Sequence, residues 1–315
     1  MKPVISSLDQ ARRARAVQHG INDRVRRVGR FVESKLAQKR QASESPLIVG
    51  INGPQGSGKT TMVRGLASYL RARSIKTVGF SLDDIYLTNS QQLALAETHR
   101  DNPLLKYRGQ PGTHDVELGR STLLSLLAGS PTDIPAFDKG LNAGYGDRVP
   151  KSQWTRVDAP VDVVLFEGWC LGFRALDAAQ FARFIADVRS SSDARYKYSR
   201  GYSDASLGQV NANLNRYERA LYPLVDAWVQ MRVADLDVVY RWRKEQEDEL
   251  AASGRPSLSD QDLEDFVSRF MPGYEMGLPG LDARGFVSSG RVPEPRALRL
   301  HLDVDRHVVG CDHRL

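Results

Sequence analysis

The alternation of strand-like and helix-like segments predicts an α/β fold of three layers, a mostly parallel sheet with helices on both faces. Three observations carry that expectation. The apolar, β-branched runs Leu47–Ile51 and Val161–Phe166 read as strands buried on both faces. Segments of helical spacing separate these runs from the other strand-like stretches. Between the first strand and a helix-like segment bearing Met62, Leu66, Ala67 and Leu70 lies Gly53-Pro54-Gln55-Gly56-Ser57-Gly58-Lys59-Thr60. That is the strand, glycine-rich loop and helix context of the phosphate-binding P-loop. The fold class is therefore a P-loop NTPase-type sandwich.

Taken in order, residues 8–40 form an amphipathic helix, with Ile21, Val25, Val28, Phe31, Val32 and Leu36 on one face. A polar hinge, Gln41 to Pro46, divides an N-terminal helical extension (1–45) from the P-loop domain (46–315). Ile75 to Leu82 is a second strand, ending at Asp83-Asp84-Ile85-Tyr86, and Gln91–Glu97 is a short helix. Residues 101–115, rich in glycine and proline, form a long loop, and loops of that length are usually functional or disordered. Val116–Leu127 is a helix, and Ile134–Lys139 a short strand entering a second glycine-rich loop, Gly140–Arg148. Val161–Gly168 is a strand, 183–206 a mobile excursion, Leu207–Leu224 a helix and Ala227–Val233 a strand. Asp235–Ala252 is a charged helix, Ser259 caps a helix over 260–270, and Ala297–Val304 is the last strand.

The balance of charge, +6 over 315 residues, sits in scattered lysines and arginines rather than in a basic stripe interleaved with aromatics. This argues against a nucleic-acid binder and fits a small anionic substrate. Cys170 and Cys311 have neither metal-ligand nor disulfide-framework spacing, so a reducing, cytoplasmic location is expected. The arginine-rich start can also be read as an organelle address, but Asp9, Asp23 and Glu33 interrupt it and favour a structured helix. No apolar run approaches the ~18 residues of a membrane span. A monomer or homodimer is expected.

The P-loop points to a nucleoside triphosphate. Its glycines let successive backbone N–H groups face one anion, Lys59 can reach the β- and γ-phosphates, and the Thr60 hydroxyl can ligate Mg²⁺. ATP and Mg²⁺ are the expected cofactors, with nucleotide contacts from Gly53, Gln55, Gly56, Ser57, Gly58, Lys59, Thr60, Thr61 and Arg241. Glu167, closing a buried strand, is the second expected metal ligand beside Thr60, because a charge there needs a partner. Phosphoryl transfer also needs a group to receive the acceptor's proton. Asp83 and Asp84 stand at a strand end, and side-chain alternation lets one of them face the cleft; Asp83 is the expected base, with Lys59 and Glu167 completing the catalytic set. Arg108, Lys139 and Arg148 are the expected clamps for an anionic acceptor. His114 either touches the acceptor or fixes its loop. Arg241, Arg243 and Lys244 either form a lid over the phosphates or a solvated helix face with Glu245, Glu247 and Asp248.

The P-loop, Ser81–Thr88, Arg108–Asp115, Phe137-Asp138-Lys139 with Gly146-Asp147-Arg148, and Phe166-Glu167-Gly168-Trp169 together resemble the D-glycerate 3-kinases of the plant and cyanobacterial type. Their fungal relatives are ATP-binding kinase-like proteins, and the wider group includes phosphoribulokinase, uridine kinase and pantothenate kinase. Tyr240–Arg243 and Phe270–Glu275 extend the similarity, which runs from residue 46 to about 304. The resemblance implies a P-loop kinase sheet with a mobile lid and γ-phosphate transfer from ATP to D-glycerate, giving 3-phosphoglycerate, with Asp83 as base and Glu167 on the metal side. It adds Asp84, Tyr86, Asp115 and Asp138 to Arg108, His114, Lys139 and Arg148 as acceptor-binding residues. Ile85 stands where the family carries an aromatic, Gly140-Leu141-Asn142 is looser than its pattern, and 189–206 resembles an insertion. The alternatives are another small acceptor (pantothenate, a nucleoside or a sugar phosphate) or a non-catalytic ATP-dependent switch.

Overall fold

The structure, a computed structural model, describes residues 7–158, 160–190, 194–254 and 257–314. In chain order the elements are α1 (Ser7–Arg40), β1 (Leu47–Asn52), α2 (Lys59–Arg71), β2 (Thr77–Ser81), α3 (Asn89–Thr98), α4 (Val116–Leu127), β3 (Thr132–Ile134), β4 (Phe137–Asp138), β5 (Asp147–Arg148), β6 (Thr155–Val157) and β7 (Val163–Gly168). They continue as α5 (Ala178–Ser190), α6 (Asp204–Ala220), β8 (Ala227–Val233), α7 (Val238–Ala252), α8 (Asp260–Ser268), α9 (Met271–Arg284), β9 (Ala297–Leu302) and β10 (Val308–Arg314).

Six strands form one sheet in the order β10-β9-β8-β1-β7-β2, parallel except for β10. The expected three-layer sandwich is what forms. Side chains alternate across the central strands: Ile48, Val164, Phe166 and Trp228 enter the core on one face, and Leu47, Val49, Ile51, Val163, Leu165 and Val229 enter the core on the other. Both faces are covered, so β1 and β7 read as continuous apolar runs rather than alternating ones. Full burial of each such Val, Leu or Ile side chain contributes about 1.5–3 kcal/mol.

Helix α1 packs its apolar stripe, Val25, Val28, Phe31, Val32 and Leu36, into the second core beside Met62, Leu66 and Leu70 of α2. Gly29 permits the close approach, since a Cβ there would fall 2.4 Å from the Tyr69 ring. At its C-terminal end Lys39 donates to Asp226 at 2.6 Å, and Asp226 also accepts from the Ile48 amide and from Arg291. Both Lys39 and Asp226 are buried, so removing Asp226 would strand the Lys39 charge in the core.

Several local expectations are corrected. The strand expected at Ile134–Lys139 is two, because Pro135 interrupts it: β3 pairs with β6, and β4 pairs with β5. Much of the segment expected to be a mobile excursion is ordered. Helix α5 reaches Ser190 and buries Phe184 and Val188, and Glu275 anchors the Tyr198 and Ser199 amides; residues 191–193 lie outside the described residues. Helix α9 is an element that periodicity does not reveal. Pro272, Gly273, Gly277, Pro279 and Gly280 weaken its helical signal, yet ten of its residues are buried and packing overrides propensity. Strand β10 is also missed; it is half a hairpin whose turn carries Arg306 at φ +67°.

Candidate active site

The P-loop follows β1, the central strand, between β7 and β8. It therefore opens at the carboxyl ends of the parallel strands, where ligands bind in open α/β sheets. Gly56 and Gly58 have φ of +75° and +84°, a region that side chains resist. A Cβ on Gly56 would also sit 2.5 Å from Cβ of Trp242. Gly58 ends the loop and α2 begins at Lys59, so its free N–H groups and partial positive charge face the loop.

The loop is held from all sides. Lys59 Nζ donates to the carbonyls of Gly53 and Pro54 at 2.8 and 3.0 Å. Tyr274 of α9 accepts from the Gln55 amide at 2.9 Å. Arg306 donates to the Gly56 carbonyl at 2.7 Å, and Arg24 of α1 to that of Ser57 at 2.7 Å. Burial lowers Lys59 below the usual lysine range, while Glu167 and Asp83 oppose the shift. The three groups therefore share one electrostatic environment.

Thr60 donates to Glu167 Oε1 at 2.9 Å. Glu167 is buried at the end of β7, so a hydroxyl and a carboxylate meet beside the phosphate loop, a hard-oxygen pair that fits a small divalent cation. Asn52 fixes the turn after Glu167 by donating to the carbonyls of Trp169 and Leu171. Trp169 in turn donates to Gly109 of the long loop and meets Tyr274 and Phe270 edge-on, which ties the two sides of the cleft together.

Asp83 and Asp84 occupy a short helical turn, 82–85, after β2. Their carboxyls do different things. Asp84 turns back and accepts from the Ser81 amide at 2.7 Å, closing a capping box. Asp83 instead meets Lys139 Nζ at 2.5 Å. Burial pushes the Asp83 carboxyl up, but the Lys139 ammonium and the Tyr86 hydroxyl outweigh it and hold it at about 2. Asp84 is pushed up to about 6, first by burial and then by Asp83 and Glu167, against the Ser81 amide.

The segments around Asp83 are joined by side chains. Tyr86 and His114 form an isolated antiparallel bridge and stack with ring centroids 4.5 Å apart. Arg148 donates to the Tyr86 carbonyl at 2.8 Å and to Asp115 at 3.2 Å. Arg108 donates to the carbonyls of Gly144 and Tyr145. Asp115 caps α4 through the Leu118 amide, and Asp138, exposed, accepts from Gly140. Tyr217 accepts from the Gly112 amide and lies 2.6 Å from His114 Nδ1. Tyr217 already accepts from Gly112, so its own O–H donates to Nδ1, which places the imidazole proton on Nε2. Nε2 is buried without a partner among the described residues. Burial pushes His114 down to about 3, against the pull of Asp83, so the ring is neutral near pH 7.

Arg241 and Thr61 line one cleft of ≈720 Å³ beside Gly56 and Gly58. Arg241 pairs with Glu245 and Asp305. Arg243 and Lys244 turn to Glu247 and to Asp248 and Asp260, so both lie in ion pairs within the α7–α8 unit. Sequence reasoning missed Arg24, Tyr274 and Arg306, which touch the loop directly. For Arg24 a signal existed: it is a charge on the apolar stripe of α1, between Ile21 and Val25.

A family model described as the phosphoribulokinase / uridine kinase family matches residues 48–206. A chloroplastic D-glycerate 3-kinase of Arabidopsis thaliana is 38% identical over 268 residues, 84% of this chain. The chain spans 54% of that relative's length. An uncharacterized kinase of Schizosaccharomyces pombe is 36% identical over 87% of this chain and 95% of its own. Among solved structures, a D-glycerate 3-kinase from Cryptococcus neoformans superposes with a TM-score of 0.82 at 34% identity, covering 92% of this chain and 98% of its own.

Proposed function

The chain belongs to the phosphoribulokinase / uridine kinase family, and from that premise we propose that it is a kinase transferring the γ-phosphate of ATP to a hydroxyl of D-glycerate, giving 3-phosphoglycerate. The observation that carries the reading is the Asp83–Lys139 pair, placed at the end of β2 within the electrostatic reach of Lys59. An ionised carboxylate beside a phosphate loop is what a hydroxyl acceptor requires, and a mobile cation beside that carboxylate suits an anionic acceptor.

In this reading Gly53, Gln55, Gly56, Ser57 and Gly58 cradle the phosphates, and Lys59 leaves its loop carbonyls to meet them. Thr61 and Arg241 border the base end of the nucleotide. Thr60 and Glu167 would hold Mg²⁺, which supplies charge neutralisation for the phosphate oxygens. Lys139 is exposed and can exchange Asp83 for the acceptor carboxylate. Asp83, released from that pair, regains basicity and takes the hydroxyl proton. Position contributes more than basicity, because even an unpaired carboxylate, with an ordinary pKa of about 3.9, is a weak base near pH 7. His114 Nε2–H, unpaired and neutral, donates to an acceptor oxygen. Arg108 adds positive charge; Arg148, Asp84, Tyr86, Asp115 and Asp138 shape the loops that hold the acceptor. No helix among the described residues is long and apolar enough to cross a membrane. The proposed protein acts in the cytoplasm on a small anion, as a monomer or homodimer, without nucleic acid.

ADP release with Mg-ATP, with and without D-glycerate, tests the proposal. Turnover should depend on D-glycerate and exceed that with pantothenate, uridine or ribulose 5-phosphate. Equal turnover with one of these reassigns the acceptor, and acceptor-independent hydrolysis as the sole activity rejects the kinase reading.

A further inference from the structure

A P-loop turns its amides inward toward phosphate, so its carbonyls face outward and need donors of their own. Here two come from arginines at opposite ends of the chain. Arg306, in the β9–β10 turn, donates to Gly56. Arg24, in α1, donates to Ser57.

The two guanidiniums are not equivalent. Arg306 has a carboxylate partner, Glu245, at 2.7 Å, and lies over the Trp242 ring. Arg24 has none among the described residues. It is 3% exposed, and among the described residues its Nε is buried without a partner and its one hydrogen bond is to the Ser57 carbonyl. Burial lowers its pKa to about 10, and the second influence, Arg306, is another cation. A buried charge without a counter-ion is costly. It is found where something else compensates it. The positive end of α2 lies on the inner side of the same loop, Glu167 there is engaged by Thr60, and no carboxylate among the described residues is in ion-pair contact with Arg24. A polyphosphate in the loop would offset the charge.

We propose that Arg24 is a positioning residue of the nucleotide site: it holds the P-loop at Ser57 from outside, and the bound polyphosphate supplies its counter-charge. The helix preceding the P-loop domain is then a working wall of the ATP site. The proposal rests on the P-loop binding ATP, as proposed above.

The test is Arg24→Met, which keeps length and loses the charge, with Arg24→Lys as the conservative variant. Thermal unfolding is followed with and without Mg-ATP, alongside the KM for ATP and for D-glycerate. Without nucleotide, R24M should unfold at or above the wild-type temperature, because an uncompensated buried charge has been removed. Its ATP-induced shift should shrink, and the KM for ATP should rise about tenfold, the size of one lost charge-assisted hydrogen bond. The KM for D-glycerate should stay within twofold. R24K should recover part of the ATP affinity. The proposal is overturned if R24M is destabilised yet binds ATP as wild type does, which is the signature of a purely structural residue. If R24M does not fold, R24K with wild-type ATP affinity overturns it. A wild type that shows no ATP shift overturns the nucleotide reading and this proposal together, whereas equal shifts in wild type and R24M overturn this proposal alone.

Discussion

The two halves of the cleft, donor and acceptor in the proposed function, are built in different ways. The donor half is backbone: a glycine loop on the central strand, gripped through its own carbonyls and amides by Lys59, Tyr274, Arg306 and Arg24. The acceptor half is side chain: four separate segments joined by Arg148 to Tyr86, Arg108 to Gly144, Tyr86 to His114 and Lys139 to Asp83. Backbone geometry presents the same amides to every triphosphate. Side-chain contacts can be exchanged, as we propose for Lys139, which would leave Asp83 for a substrate carboxylate. The difference suits a constant phosphate donor and an acceptor that varies within the family.

Cutting the acceptor half at Asp83 should expose that separation most strongly. Asp83→Asn keeps the shape and loses the charge. A positioned base is typically worth about 10²–10⁴-fold, so kcat should fall at least a hundredfold while the Mg-ATP thermal shift survives. A loss of nucleotide binding in the same variant would show that the halves are not separable. A kcat within a few-fold of wild type would remove Asp83 from the base role.

Lys139→Met gives a smaller, pH-dependent effect. Lys139 holds the Asp83 carboxyl at about 2 against burial, so in wild type Asp83 stays ionised through the acid range. Without the ammonium, burial dominates and the carboxyl rises. The acid limb of the kcat/KM profile should then move up, into the region of about pH 4–6 or above, and the KM for the acceptor should rise about tenfold from the lost charge. The KM for ATP should hold. A rise in both KM values would mean that Lys139 serves the donor half as well.

The same division explains what could be read in advance. The P-loop, Glu167 and Asp83 were legible because each follows an apolar strand, and strand ends meet at one edge of a parallel sheet. The pairing of Lys139 with Asp83 and of His114 with Tyr217 was not, since it depends on loop contacts spanning 56 and 103 residues. Arg24 falls within the predicted helix 8–40, but its target lies 33 residues on, and only packing brings it there. Helix α9 stayed hidden behind its glycines and prolines, although the Tyr274 that it carries touches the loop most visible in the sequence.

Asp84 lies on the seam between the halves, and its variant should have the smallest effect. Its carboxyl caps Ser81 while crowded by Asp83 and Glu167, which with burial hold it at about 6, above the ~3.9 of an unfolded chain. The folded state therefore binds this proton more tightly than the unfolded state. Between about pH 4 and 6 that contribution to stability falls as pH rises, and above pH 6 the full cost of ionising Asp84 is present. Asp84→Asn keeps an oxygen for the Ser81 amide and removes the charge. Because the group is partly solvated, the gain at pH 8 should be about 1–2 kcal/mol, with the difference from wild type fading as pH drops toward about 4. Denaturant unfolding at a series of pH values measures it. A difference independent of pH would mean that Asn changed the cap rather than the charge. A gain that tracks the titration would identify Asp84 as a carboxylate kept at a cost in stability, where the backbone-built donor half and the side-chain-built acceptor half press their negative charges together.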